Sequence, residues 1–204
     1  MKRSSRAVLP ALAAVLLLAA LAAALSHAAR TKPAAQADAA DTAEAEALRM
    51  TEVCRDAAQT ASDAWRYGIA LPQDALTELA ASIAAAYPSA AVCGVDGAAP
   101  MRNVGAIDMF LAGGDTLTIC EVCLDAGLLC HRFTRDGDAV TVTRTRTVWT
   151  GGAPAVGYSE TCAVTDLTRG ADTLHYAYDM PDNPPGTDHD GHIDTEKTFA
   201  LAGA

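Results

Sequence analysis

The clearest hydrophobic pattern lies in the second half of the chain, where apolar and polar residues alternate in short runs. Residues 140–149 alternate strictly and are rich in β-branched side chains, the pattern of a strand on a pleated sheet. The valines share one face with Arg144 and Arg146, and the threonines share the other face. We therefore expect a half-buried strand whose arginines reach acidic groups on a neighbouring strand.

Four further runs have the same character and are separated by short turns. Strands are predicted at residues 116–122, 128–134, 155–167 and 173–178. Turn sequences such as Asp136-Gly137-Asp138 are typical of hairpins. Because parallel pairing needs long crossovers, these short connections predict an antiparallel meander of about five strands.

Helical periodicity dominates the region before this meander. A helix is predicted over residues 41–66, where acidic residues come first and basic residues last, with an apolar face of Leu48, Cys54, Ala58, Ala61 and Trp65. A second helix is predicted between Pro72 and Pro88, with a face of Leu76, Leu79, Ala80, Ile83 and Tyr87. A short edge strand at residues 90–95 and a helical turn at residues 106–111 follow. The predicted fold class is α+β, with amino-terminal helices packed on the antiparallel sheet.

The amino terminus has the parts of an export signal. Lys2, Arg3 and Arg6 precede an apolar run at residues 7–25, and Ser26-His27-Ala28 fits a cleavage site. The run is close to the ~20 residues that span a bilayer, so cleavage and retention as a membrane anchor both stay open.

These features predict three segments, all but the first outside the cytoplasm. Residues 1–28 are a signal peptide or membrane anchor, residues 29–40 a flexible tether, and residues 41–204 a single exported domain that ends in a Pro- and Asp-rich loop. A pilin-like subunit stays open as a minor alternative because a long amino-terminal helix before a meander resembles a pilin in outline. The chain lacks the Gly, aromatic and Glu residues that mark a pilin amino terminus, and its first glycine is Gly68.

The charge excludes one class of partner. The chain has 25 acidic and 15 basic residues and a net charge of −10. Three of the basic residues belong to the export signal, so the exported part is more acidic still. A domain of this charge repels phosphate backbones, and we expect no nucleic-acid partner.

All six cysteines lie in the predicted exported part: Cys54, Cys93, Cys120, Cys123, Cys130 and Cys162. An even number of cysteines in an oxidising compartment predicts disulfides. A tight hairpin at residues 124–127 would place Cys120 and Cys130 opposite or diagonal to each other. Our hypothesis completes the set with the pairs Cys54–Cys93 and Cys123–Cys162.

Sharper interpretations of the cysteines are also open. Cys120 and Cys123 have the C-x-x-C spacing of redox proteins, although the motif ends a predicted strand instead of opening a helix. With Cys130 and His131 they provide ligand types for zinc, although those two neighbours point to opposite faces of a strand. Leu124 stands where haem attachment requires a histidine, which excludes that pattern.

One segment near the carboxyl terminus resembles part of a calcium-binding loop. Carboxylates alternate around Gly191, but Lys197 stands where the closing glutamate belongs. Because ligand positions of the calcium loop are lost, a polar loop after a proline-rich stretch is the favoured interpretation. We therefore expect no cofactor, and calcium with the candidate ligands Asp188, Asp190 and Asp194 is the alternative.

No local motif of an enzyme is present: the sequence lacks a P-loop, a dinucleotide glycine motif and H-E-x-x-H. The order of elements over residues 76–181 is similar to that of uncharacterised exported bacterial proteins of unknown function. The resemblance rests on a helix, the segment 103–111, a strand, a hairpin over residues 127–148 and the closing Tyr176-Ala177-Tyr178-Asp179-Met180-Pro181. It implies an exported α+β domain at the cell surface and no catalytic residues.

We therefore expect an interaction or structural module whose partner is another cell-envelope protein. An exported calcium- or metal-binding or redox-active protein is the alternative. Membrane contact would be made through residues 7–25 if the signal is not cleaved.

Overall fold

The structure is a computed structural model that describes residues 38–65, 70–179 and 196–201. The chain divides into two units, Met1–Ala39 and Ala40–Ala204, and the fold described below is that of the second unit. The predicted signal at residues 1–28 lies outside the described residues. Among the residues that the structure does describe, no helix is long and apolar enough to cross a membrane.

Two helices occupy the region where one helix was predicted. Helix α1 covers residues 38–52 and helix α2 covers Arg55–Trp65. The backbone N–H groups of the two residues between them, Val53 and Cys54, bond to carbonyls three residues earlier, which tightens the chain and separates the helices. The predicted face is right at Cys54, Ala58 and Ala61, which are buried, whereas Leu48 is only partly buried.

Helix α3, Gln73–Ala86, agrees closely with the prediction. Pro72 precedes it as the cap residue, where its missing N–H costs no helical hydrogen bond. Leu76, Leu79, Ala80 and Ile83 are buried, and Tyr87 packs against the same core.

In the described part of the chain, seven strands form one sheet, in which the spatial order follows the chain order. The strands are β1 Ala90–Gly94, β2 Thr116–Val122, β3 Leu128–Asp136, β4 Ala139–Thr150, β5 Ala153–Arg169, β6 Thr173–Asp179 and β7 Glu196–Ala200. The five predicted strands correspond to β2 through β6, and their antiparallel pairing is confirmed. The edge strand predicted at residues 90–95 is β1, but the predicted meander of about five strands was too small, because β1 and β7 extend the sheet at its two edges.

Strand β1 pairs with β2 in parallel, unlike every other pair in the sheet. The connection between them contains a 3₁₀ turn, Val95–Gly97, and helix α4, Gly105–Leu111. This connection is long enough for a parallel crossover. It also means that α4 follows the first strand whereas α1, α2 and α3 precede the sheet, so the expectation that all helices come first was correct only in part.

The sheet has two buried faces and is strongly curled. Helices α1, α2 and α3 pack on one side, here called the outer face, and α4 packs with the opposite, inner face. Lys197 on β7 forms an ion pair with Glu121 on β2, although four strands lie between them in the sheet. Such a contact requires the sheet to curl around its inner face. The inner face therefore encloses a second core, which includes Ile107, Phe110, Ile119, Phe133, Val142, Leu174, Tyr176 and Phe199.

Candidate functional site

Ionisable and phenolic side chains gather inside this second core. We call this group the inner-face cluster: Glu121, His131, Arg144, Glu160, Tyr176, Tyr178 and Lys197. Strand alternation places each member on the inner face. Strand register then aligns them, because His131 lies opposite Arg144, Arg144 opposite Glu160, and Tyr176 opposite Lys197.

A chain of hydrogen bonds links four strands through the cluster. The Tyr176 hydroxyl lies 2.7 Å from Nδ1 of His131, and Nε2 of His131 lies 3.1 Å from Oε2 of Glu121. The other carboxylate oxygen of Glu121 accepts a hydrogen bond from the Lys197 ammonium at 2.9 Å. Glu121, His131 and Tyr176 are all buried, with relative exposures of 1%, 0% and 0%.

The protonation states follow from burial and from these partners. Burial lowers the pKa of His131, more than the nearby Glu121 raises it, so the ring is neutral. Burial acts to raise the pKa of Glu121, but the hydrogen bonds from His131 and Lys197, together with the positive charge of Lys197, outweigh it and lower the pKa. A neutral ring that donates from Nε2 to the carboxylate accepts at Nδ1 from the Tyr176 hydroxyl. Burial also raises the pKa of Tyr176, which keeps the phenol protonated as a donor.

Aromatic packing fixes the positions of these polar groups. The Phe199 ring meets the His131 ring edge-on, with centroids 5.2 Å apart. Phe133 meets Tyr176 in the same manner at 5.0 Å. Edge-to-face contacts of this kind favour one ring orientation, so the hydrogen-bond chain has little freedom to rearrange.

Arg144 forms the second branch of the inner-face cluster. Its Nη1 donates to Glu160 at 2.8 Å and to the Tyr178 hydroxyl at 2.6 Å, and its guanidinium lies 5.0 Å from the Tyr178 ring centroid. The expectation that an arginine of β4 reaches an acid on a neighbouring strand is confirmed by Arg144 and Glu160. Arg146 instead contacts both carboxylate oxygens of Asp125, which lies in the turn between β2 and β3.

The cluster contains the side chains of an acid–base relay, but its central residues are buried and solvent does not reach them. No substrate atom could approach Tyr176 or His131 without the curled sheet opening, because both are fully buried. The cluster therefore stabilises the fold, because one set of polar contacts links β2, β3, β6 and β7 around a common centre.

The structure contains the disulfide between Cys120 and Cys130, which lie opposite each other on β2 and β3. Cys54, Cys93, Cys123 and Cys162 are free and buried thiols. The predicted pairs Cys54–Cys93 and Cys123–Cys162 are thereby corrected. Cys54 belongs to the outer-face core whereas Cys93 belongs to the inner-face core, and the sheet lies between the two cores.

The positions of the cysteines also argue against a redox site and a zinc site. Cys120 is bonded to Cys130 and not to Cys123, the second cysteine of the C-x-x-C motif. Burial raises the pKa of Cys123 to about 11, the opposite of the shift that activates a catalytic thiol. His131 lies on the inner face and Cys130 on the outer face, so they cannot ligate one zinc ion. Within the described ranges, no group of three or more His, Cys, Asp or Glu side chains is placed to hold a metal ion.

The calcium-loop candidates, Asp188, Asp190 and Asp194, lie outside the described residues. Lys197 stands where a calcium loop would have its closing glutamate, and its ammonium group forms an ion pair with Glu121.

Sequence reasoning missed the residues at the centre of the cluster. A signal was present in β2 and β3, where Glu121 and His131 occupy the face that Leu117, Ile119 and Phe133 make apolar. A polar residue in such a position points to a buried polar contact. Lys197 had no comparable signal, because β7 was not predicted.

Comparison with known proteins adds no relative. No family model matches the chain, and neither a curated protein nor a solved structure matches it significantly. The functional argument therefore depends on the chemistry of the chain itself.

Proposed function

We propose that this protein is an exported, disulfide-stabilised module of the bacterial cell envelope that acts by binding or as a structural unit, without catalysis. The observation that carries the proposal is the Cys120–Cys130 disulfide, which joins the adjacent strands β2 and β3 on the outer face of the sheet. Disulfides of this structural kind persist in oxidising compartments and are rare in the cytosol. The basic and apolar amino-terminal sequence supports the same location.

The chemistry of the described domain supports binding over catalysis. Its most enzyme-like constellation, Glu121 with His131 and Tyr176, is sealed in the core. Its four free thiols are protonated at neutral pH, because burial raises the pKa of Cys54 and Cys93 to about 12 and that of Cys123 and Cys162 to about 11. A protonated, buried thiol is a poor nucleophile. The cysteines therefore serve as packing groups, apart from the disulfide.

Cell fractionation combined with intact mass tests location and cysteine state together. The full chain is expressed in a bacterium, the extracytoplasmic and cytoplasmic fractions are separated, and each is alkylated under three conditions. We expect extracytoplasmic protein that takes up no label when native, four labels when denatured and six when denatured and reduced. A mass that begins near Ala29 identifies a secreted domain, whereas a full-length mass in the membrane fraction identifies an anchored one.

A variant without residues 7–25 is the matched control. It keeps every cysteine but lacks the apolar run, so it should stay in the cytoplasm and take up six labels after denaturation without reduction. The proposal fails if the unaltered chain behaves in this way.

A further inference from the structure

Strand β7 is held in the sheet from one side. It pairs with β6 alone, whereas β6 lies between two strands. At the opposite edge of the sheet, all of β1 is buried, and its outward side forms backbone hydrogen bonds with residues 99–102. Among the described residues, β7 has no such bonds on its outward side. An edge strand with so few backbone bonds is the element most able to open while the rest of a domain stays folded.

Side chains hold β7 across the curled sheet. The Lys197 ammonium lies 2.9 Å from Glu121 on β2, and the Phe199 ring meets the His131 ring on β3 with centroids 5.2 Å apart. Detachment of β7 removes both contacts at once. The hydrogen bonds from His131 to Glu121 and Tyr176 join β2, β3 and β6, so they do not depend on β7. Opening of β7 therefore uncovers the imidazole ring without removing its hydrogen-bond partners.

Charged and titratable groups surround His131 on the inner face. They are Cys93 on β1, Glu121 on β2, Arg144 on β4, Glu160 on β5, Tyr176 on β6 and Lys197 on β7. Helix α4 packs with the same core, but its Asp108 pairs with Arg169 at the surface. Of the groups around the ring, Lys197 is the one that leaves with β7. Its departure takes away a positive charge and leaves the Glu121 carboxylate without a cation.

The open and closed forms therefore differ in their affinity for a proton. In the closed form, burial lowers the pKa of His131. In the open form the ring meets water beside an unpaired carboxylate, so its pKa returns at least to the ordinary value of about 6.5. A proton that only the open form binds shifts the equilibrium towards that form as the pH falls.

We propose that β7 is an acid-released latch: at low pH it detaches from the otherwise folded sheet, and Glu121 exchanges the Lys197 ammonium for the imidazolium of His131. The exchange keeps the buried carboxylate paired with a cation in both forms, so β2, β3 and β6 stay joined when β7 leaves. The inference goes beyond the proposed function and does not rest on it.

Hydrogen exchange followed by NMR tests the latch residue by residue. The purified, ¹⁵N-labelled exported protein is exchanged at pH 7.5, 6.5 and 5.5, and each rate is divided by the rate of an unstructured peptide at the same pH. We expect the protection of the β7 amides that bond to β6 to fall at least about tenfold between pH 7.5 and 5.5, the change for one proton taken up by an ordinary histidine.

Low concentrations of urea separate local opening from global unfolding. The amides at the centre of the sheet, in β3 and β4, should exchange only through global unfolding, so their protection should fall steeply as urea is added. The β7 amides should be less protected at every pH and nearly independent of urea, because local opening exposes little surface.

Three variants assign the effect. His131→Gln should abolish the tenfold change, because the amide takes up no proton. His175→Gln is the matched control: His175 contacts Thr198 of β7 from the outer face, and this variant should keep the full change. Lys197→Met should raise the exchange of the β7 amides at pH 7.5 at least tenfold, because it removes the ion pair from the closed form alone. If His131→Gln does not fold, the unaltered protein and Lys197→Met decide the question.

The inference is overturned if the β7 amides have the protection and the urea dependence of the β3 and β4 amides, since β7 would then open only with the whole domain. It is also overturned if the protection of β7 does not depend on pH, or if His175→Gln removes that dependence. None of these outcomes alters the fractionation result, so the two proposals can be judged separately.

Discussion

The ion pair between Lys197 and Glu121 should contribute much more stability than a surface pair. Their charged atoms are 2.9 Å apart, and the side chains are 27% and 2% exposed. At this distance Coulomb's law gives about 6 kcal/mol for an effective dielectric constant of ~20 and about 1.4 kcal/mol in water. Because one partner is buried and the other reaches the surface, we expect a coupling free energy of about 2–3 kcal/mol.

A double-mutant cycle measures this coupling. Lys197→Met leaves the buried Glu121 carboxylate without a cation and should lower the free energy of unfolding by about 3 kcal/mol. This cost is near the lower end for a broken buried pair, because His131 still donates a hydrogen bond to the carboxylate. Glu121→Gln should cost only about 1 kcal/mol, since Lys197 can turn into solvent and the amide oxygen still accepts from His131. The double variant should resemble Glu121→Gln, and urea unfolding followed by near-ultraviolet circular dichroism would report all three values.

Acid should partly rescue Lys197→Met. Without the ammonium group, burial raises the pKa of Glu121, so the folded state takes up a proton that the unfolded chain does not. The cost of the substitution should therefore be smaller at pH 5 than at pH 7. Glu196→Gln, an adjacent change at an exposed residue, should shift stability by less than about 0.5 kcal/mol. A coupling below about 0.5 kcal/mol, or a cost that does not depend on pH, would refute this view of the cluster.

Three further predictions address the disulfide, the histidine and a glycine. Replacing Cys120 and Cys130 by alanine should lower the free energy of unfolding by about 2–3 kcal/mol, as expected for a short closed loop, and intact mass with a denaturation curve checks it. Because burial lowers the pKa of His131, the unfolded chain binds a proton below about pH 6.5 that the folded chain does not, so stability should fall as the pH drops below 6.5. His131→Gln should be less stable at pH 7 but lose less stability between pH 7 and 5; an unchanged slope would contradict the assignment. Gly127→Ala would push a methyl group into the Thr147 backbone oxygen and should cost at least about 2 kcal/mol by chemical denaturation, whereas Gly105→Ala meets open space and should cost nothing; equal effects would contradict the geometry.

Local patterns were sufficient for the middle of the sheet. Alternation located β2 through β6, and the short turns gave their antiparallel order, because both signals depend on residues close in sequence. The Cys120–Cys130 bond follows from the same hairpin geometry. The alternation of β6 places Leu174, Tyr176 and Tyr178 on one face, and all three are buried in the inner-face core.

Features that depend on distant contacts were not predictable. Strand β7 has only five residues and follows a Pro- and Asp-rich stretch, so no local pattern marks it. The ion pair between Lys197 on this strand and Glu121 joins residues far apart in the chain, and no sequence pattern predicts that contact. The contact of Arg55 with the Trp149 ring also requires tertiary packing, since the two residues come from elements far apart in the chain.

Strand β7 also sets a constraint on the time course of folding. Glu121 and His131 leave the ribosome, and would cross a membrane, well before Lys197 and Phe199, which complete their surroundings. Until then a carboxylate, an imidazole and a phenol have only a partial set of partners beside an exposed aromatic core. Closing that core joins segments far apart in the chain, which is an intrinsically slow step. The interval before β7 docks is therefore when the chain is most open to proteolysis and aggregation, and when a chaperone would have the most to bind.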